Sequence, residues 1–415
     1  MFDVIKLENG ISIVTEKMAS VRSASLGIFI KNGSINETEK TNGISHFIEH
    51  MLFKGTEKRT SKDIAEEMDN IGGQLNAFTS KEYTCYYARV LDTHIDIAID
   101  ILTDMLFNSK FDNIDIEKEA KVILEEISMY EDSPDDIVFN ELQKQVWKNS
   151  PLGYSVLGSK ENVSSFKRED FFKYINEKYV GENIVIAIAG SFNKEKVVDM
   201  IKQKVLSMPK GKPNLEANSK YIYVPSKVKT FKDIEQLHLA IAFEGISIKD
   251  KYNYSMSLLN TIFGGGMSSI LFQKVREENG LAYSIYSYNN GYINNGVFNI
   301  YVGLNKSQLD KTINIIKREI KNIKDNKITK EQIEKTKEQL KSNYIMGLES
   351  TSNRMSSIGR SKILIDKIKT PDEIIEEVDL IKKEDIDYVI DTVFNIEKMS
   401  ISLVGKVDDI KIENL

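Results

Sequence analysis

Apolar positions alternate or cluster over 4–15, 23–31, 83–90 and 184–190, in runs rich in Val, Ile and Tyr with turn residues at their borders, which predicts four strands. Over 43–54, 61–71, 93–109, 113–131, 135–148 and 168–179 the apolar residues recur near every 3.6 positions, which predicts helices. Further on, 308–324 and 329–349 are long Lys/Glu-rich segments with the same helical spacing. Strands and helices are grouped more than strictly alternated. That favours an α+β fold over a doubly wound parallel sheet.

The periodicity fails between Pro209 and Pro225, where Lys210–Lys220 is polar and follows neither repeat. A linker over 213–224 is therefore expected, between a domain at 1–212 and a domain at 225–415. The two halves look alike. Ile184-Val-Ile-Ala-Ile-Ala-Gly190 matches Met399-Ser-Ile-Ser-Leu-Val-Gly405, and Ser25–Ile30 resembles His238–Phe243 at nearly the same offset. Each of the latter pair is followed by a polar turn and an amphipathic helix, 43–53 and 252–263. Two matches in the same order imply an internal duplication.

Composition narrows the class. No run approaches the ~18 apolar residues of a membrane helix, so no membrane span is expected. The first residues lack the basic and apolar regions of a signal peptide, which points to the cytoplasm. A single cysteine, Cys85, excludes an internal disulfide framework. The net charge of −6 argues against nucleic acid as a partner. Acidity is concentrated in residues 1–215, with 27 Lys+Arg against 34 Asp+Glu, and is densest over 101–150.

Two of the four histidines stand in His46-Phe-Ile-Glu49-His50. On a helix, positions 46 and 50 share one face a turn apart, and Glu49 lies on the same side. Two such imidazoles suit one tetrahedral zinc at ~2.0–2.1 Å. Zinc brings the pKa of a bound water towards ~7, and Glu49 is then placed to take its proton. This is the inverted form of the His-Glu-x-x-His motif. A catalytic zinc needs a third protein ligand. His94 and Cys85 are possible donors. Glu119 and Glu126, seven apart, are more coherent candidates, because Val122, Ile123 and Ile127 imply that their helix packs inward. A buried acid there needs a partner such as a metal.

The segment Gly43-Ile-Ser-His-Phe-Ile-Glu-His-Met-Leu-Phe-Lys-Gly-Thr56 resembles the signature of the pitrilysin or insulinase (M16) family of zinc peptidases. The likeness is greatest to the mitochondrial processing peptidase β-subunit and its single-chain bacterial relatives. It implies Glu126 as third ligand, 76 positions after His50, and Glu119 as the supporting acid, with Glu125 as substitute if the register slips by one. Gly72-Gly-Gln-Leu-Asn-Ala-Phe-Thr79 resembles the family's edge strand, to which an extended peptide adds. Asn76 and Ala77 are the implied substrate contacts. Phe263-Gly-Gly-Gly-Met-Ser-Ser269 leads to Arg276 and Tyr283, similar to the family's Arg–Tyr pair. Tyr283 would donate to the developing oxyanion and Arg276 would hold a substrate carbonyl. No Gly-Lys-Ser/Thr follows the triple glycine, which argues against a phosphate loop.

Aligning Phe53 with Phe263 puts Met256, Leu259 and Asn260 where the first half has His46, Glu49 and His50, so the second copy has no metal site. The resemblance then implies two α+β domains of the LuxS/MPP-like metallohydrolase type. Each is a mainly antiparallel sheet with packed helices, and the two close like a clamshell. It implies one zinc per chain, a homodimer, and an endopeptidase acting on unfolded peptides, basic ones among them, or presequence-like segments in a closed chamber. Two alternatives compete. A non-catalytic scaffold or partner subunit of the same fold would have no need of the intact motif residues. A lyase of the autoinducer-synthase type would use a cysteine ligand and a far shorter chain; Cys85, in Tyr83–Tyr87, reads as a core residue instead.

Overall fold

The computed structural model describes residues 2–214 and 219–415. Part of the linker expected at 213–224 (residues 215–218) lies outside the described residues. Two compact units form. One takes residues 2–127, 154–214 and 345–370; the other takes 128–153, 219–344 and 371–415.

The first unit holds a six-stranded sheet of β1 (Phe2–Lys6), β2 (Ser12–Lys17), β3 (Ser23–Ile30), β4 (Gln74–Thr79), β5 (Thr84–Leu91) and β6 (Ile184–Gly190), in the order β1-β2-β6-β3-β5-β4. The second holds β7 (Lys227–Phe231), β8 (Gln236–Glu244), β9 (Ala282–Gly291), β10 (Gly296–Asn305) and β11 (Ser400–Gly405), in the order β7-β11-β8-β10-β9. Without β1 the two orders are the same. Each contains one parallel pair, β2 with β6 and β7 with β11, among antiparallel ones. The sheets are thus mixed, and the duplication is visible in topology as well as in sequence. The stretch 4–15 is not one strand. Asn9-Gly10 breaks it into the hairpin β1–β2, with Gly10 at φ +94°, and Val4 pairs with Val14.

The predicted helices form within about three residues of their expected ends. In the first unit, Ala24, Leu26, Ile28 and Ile30 of β3 and Ile184, Ile186 and Ile188 of β6 face a core filled by the helices Ile44–Leu52 and Ile95–Asn108. This alternation is the period-two signature of a sheet whose two faces meet different surroundings.

The opposite face of that sheet is covered by the helix Thr351–Ile365, which comes from the second half of the sequence. Small residues let it approach closely. A Cβ on Gly27 would stand 2.4 Å from Met355 Sδ, and one on Gly359 would stand 2.2 Å from Phe29. Ser25 Oγ and Thr351 Oγ1 are 2.9 Å apart, and Arg354 forms a buried ion pair with Glu16. The second unit shows the converse. Its sheet is covered by Pro134–Val146, from the first half of the sequence, with Phe139 against Tyr288 and Tyr301. The halves of the sequence therefore do not coincide with the units of the fold. No helix among the described residues is long and apolar enough to cross a membrane.

Candidate metal centre

The helix Ile44–Leu52 buries Ile44, Phe47, Ile48 and Met51. Phe47 packs edge-on against Phe166 and Phe171, with ring centroids 6.2 and 4.8 Å away. Its N-terminus is held by a carboxylate from an earlier loop. Glu37 accepts from the backbone N–H of Gly43 (2.8 Å) and Ser45 (2.9 Å) and from Asn42 Nδ2 (2.9 Å). These bonds satisfy donors that a helix leaves open at its start, and a negative charge there suits the helix dipole. Burial nevertheless pushes the Glu37 carboxyl above its ordinary range. Gly43 has φ +100°, and a Cβ there would lie 2.8 Å from Gly158 Cα, so glycine is required.

His46, Glu49 and His50 emerge on the side away from those apolar contacts. The histidine rings meet at 67° with centroids 4.6 Å apart. Desolvation, followed by the neighbouring His50, pushes His46 down to about 3, so it is a neutral imidazole at physiological pH. Glu126 approaches from the long helix Asn113–Asp132, which buries Ile116, Glu119, Ile123 and Ile127. Val122, expected inward, is half exposed, because the buried stripe runs through 116, 119, 123 and 127.

Glu126 Oε2 stands 3.6 Å from Nε2 of both His46 and His50, and the ligand atoms of all three residues lie within 4.8 Å of one another. Bonds of ~2.0–2.1 Å to a tetrahedral ion place its donors ~3.3 Å apart, so the trio fits zinc. It is the one such cluster among the described residues. Glu125, which is exposed, and His94, which is half-buried, both lie outside it. Cys85 is fully buried in β5, and burial pushes its thiol well up, which disfavours a thiolate ligand.

Glu119 stands behind His50. Its Oε1 accepts from His50 Nδ1 at 2.9 Å, which leaves Nε2 with its lone pair towards Glu126. Lys54 Nζ, one turn beyond His50, meets Oε2 at 2.6 Å. Burial opposes ionisation of Glu119, but the bonds to His50 and Lys54 outweigh it and hold the carboxyl below its ordinary range. Burial raises the Glu49 carboxyl, against the hydrogen bond from Thr79 Oγ1 at 2.5 Å. The motif spacing did not reveal Glu37, Lys54 or Thr79. Lys54 and Thr79 do lie in segments singled out for other reasons, and the i,i+4 step from His50 to Lys54 was a readable signal.

Asn76 and Ala77 lie on β4, an edge strand paired, among the described residues, with β5 alone. Asn76 Oδ1 accepts from the Ala77 N–H at 2.8 Å. In the second unit Arg276, on a π-helical turn at Phe272–Glu277, sits over the ring of Tyr283 at 5.3 Å and that of Phe272 at 4.7 Å. Tyr283, the second residue of the edge strand β9, is 82% exposed. Met256 and Leu259 are fully buried, and Asn260 accepts from Ser287 Oγ, so the second unit has core where the first has the His46, Glu49 and His50 cluster.

A duplicated α+β fold with an inverted His-x-x-Glu-His helix and a downstream glutamate defines the zinc metallopeptidases of the inverted-motif class. Residues 12–160 match the insulinase domain (peptidase family M16), and residues 165–340 match the peptidase M16 inactive domain. The chain belongs to this family. It is 42% identical over 377 residues to the uncharacterized zinc protease YmxG of Bacillus subtilis, covering 91% of this chain and 92% of that one. It is 33% identical over 420 residues to a probable mitochondrial-processing peptidase subunit beta of Arabidopsis thaliana, covering 98% and 79%. Its fold is that of a protease from Helicobacter pylori, with TM-score 0.89 at 19% identity over 98% of this chain and 99% of that one.

Proposed function

We propose that this protein is a zinc endopeptidase that cleaves unfolded peptides, one ion per chain being held by His46, His50 and Glu126. The observation that carries the reading is the convergence of those three donors beside Glu49. Zinc bound there supplies a Lewis acid that polarises the scissile carbonyl and acidifies the attacking water. Glu49, one residue before a ligand yet outside the donor cluster, takes the proton from that water and passes it to the departing amine. Glu119 holds the His50 ring in the tautomer that presents Nε2. The free edge of β4 suits an extended peptide, whose main chain would pair along Gln74–Thr79 and meet Asn76 and Ala77.

The proposal extends to Arg276 and Tyr283 as substrate contacts, supported by their pairing and by the exposure of Tyr283. It also extends to substrate charge. The helix that carries Glu126 displays Glu117, Glu125 and Glu131 at its surface, within the most acidic part of the chain. Cationic peptides are expected to be cleaved faster than acidic ones of equal length. Matched Lys/Arg-rich and Asp/Glu-rich libraries, with and without a chelator and at two salt concentrations, test both claims. Chelation should abolish cleavage. The cationic preference should narrow as the Debye length falls below ~10 Å above 0.1 M salt. Chelator-resistant cleavage would refute the metal assignment, cleavage of no peptide would favour a non-catalytic subunit, and equal rates at low salt would refute the charge preference.

A further inference from the structure

One side-chain contact at the site involves neither the ligand trio nor Asn76 and Ala77. Thr79 Oγ1 lies 2.5 Å from Glu49 Oε2, across 30 residues of sequence. The direction of this bond follows from its neighbours. Thr84, paired with Thr79 across β4 and β5, has one hydroxyl proton, and its Oγ1 lies 2.9 Å from the Asn32 carbonyl but 3.4 Å from Thr79 Oγ1. Thr84 therefore spends its proton on Asn32, and Thr79 spends its own on the carboxylate. Among the described residues Glu49 Oε2 has this one hydrogen-bond donor, and Oε1 has none.

The hydroxyl is also held in place. Thr79 ends β4 at a tight turn in which Ser80 N–H donates to the Tyr83 carbonyl (2.9 Å) and Ser80 Oγ donates to the same oxygen (2.7 Å). The turn is clamped from outside, with the Ile35 N–H on the Lys81 carbonyl at 2.8 Å. A Cβ on Gly33 would stand 2.2 Å from the Ser80 carbonyl, so the two loops are in direct backbone contact. The clamping loop runs on to Glu37, which caps the helix carrying Glu49. Donor and acceptor are thus fixed by one continuous segment.

We propose that Thr79 is a positioning residue for the reaction. Its hydroxyl holds the Glu49 carboxylate by Oε2, so that Oε1 alone faces the attacking water, and it ties the base to the end of the strand that receives the peptide. This rests on the assignment of Glu49 as the base. No covalent step is added; Thr79 keeps its proton throughout.

The test uses the full chain loaded with zinc and compares Thr79→Val, which keeps the shape, with Thr79→Ser, which keeps the hydroxyl. A hydrogen bond to a charged group corresponds to roughly 10- to 100-fold in rate, so Thr79→Val should lower kcat by about that factor. KM should stay within about twofold, zinc affinity by chelator competition should not change, and Thr79→Ser should recover most of kcat. Peptide affinity, measured in the Glu49→Gln background, should be the same with and without Thr79→Val, because the strand itself is intact. Unchanged kcat in Thr79→Val, or equal losses in the Val and Ser variants, would overturn the inference. So would a fall in peptide or zinc affinity that accounts for the loss. Full activity in Glu49→Gln alone would instead overturn the reading on which it rests.

Discussion

Glu49→Gln is expected to retain zinc and to lose peptide hydrolysis by about 10²–10⁴-fold, the usual contribution of a positioned general base. The carboxylate lies next to His50 in sequence but outside the cluster formed by His46, His50 and Glu126. The amide has nearly the same shape and can still accept from Thr79, so the helix Ile44–Leu52 and its ligands should assemble as before. What is lost is the capacity to take a proton. Metal content and kcat measured on one preparation decide the matter. Equal loss of zinc and activity would make Glu49 a structural element, and retained turnover would remove it from the mechanism.

The second large effect concerns the chain cut at the linker. Residues 1–212 alone are expected not to fold, although they contain β1–β6 and all three proposed zinc donors. The helix Thr351–Ile365 covers β3 and β6 on the face away from the ligand helix. Without it Phe29, fully buried, loses its cover, at a cost of about 1.5–3 kcal/mol. Val14 and Val185, buried like Phe29 and outside the core on the other side of the sheet, are opened to water with it, and Glu16 loses Arg354. Against a typical stability of about 5–15 kcal/mol, opening this face removes a large part of the margin. Residues 1–212 joined by a flexible linker to 345–370 should recover cooperative thermal unfolding and zinc binding. A cooperative, zinc-binding 1–212 fragment would show that the helix is dispensable.

The ligand helix was legible in the sequence because its information is local. His46 and His50 are one turn apart, and the apolar positions 44, 47, 48 and 51 fix which face is buried. The place of Glu126 beside the two histidines was legible only through family resemblance, since Glu119, Glu125 and Glu126 share a helix and composition alone does not choose between them. Val122 shows how easily such a face is misjudged by one position. The hairpin at Asn9-Gly10 was hidden because β-branched residues flank the turn on both sides, although the dipeptide is itself a hairpin signal. In β9 and β10, Tyr and Asn alternate with apolar residues, which blurs the usual contrast between faces. The exchange of Pro134–Val146 and Thr351–Ile365 between the two sheets could not be read at all. It depends on small residues that admit distant side chains, Gly27 facing Met355 and Gly359 facing Phe29 across more than 300 positions, and no sequence period reports that. The bond between Thr79 and Glu49 is non-local in the same way.

The central claim is that His46, His50 and Glu126 form one zinc site. Zinc titration of the metal-free full chain against a competing chelator, with Glu126→Ala alongside, tests it most directly. Loss of an outer partner of a zinc ligand typically costs 10–100-fold in affinity, so loss of a ligand should cost at least about 100-fold. The account predicts one tightly held ion per chain in the unaltered protein and a loss of that size in Glu126→Ala. The same stoichiometry and affinity in both proteins would contradict it and would move the third ligand to another residue.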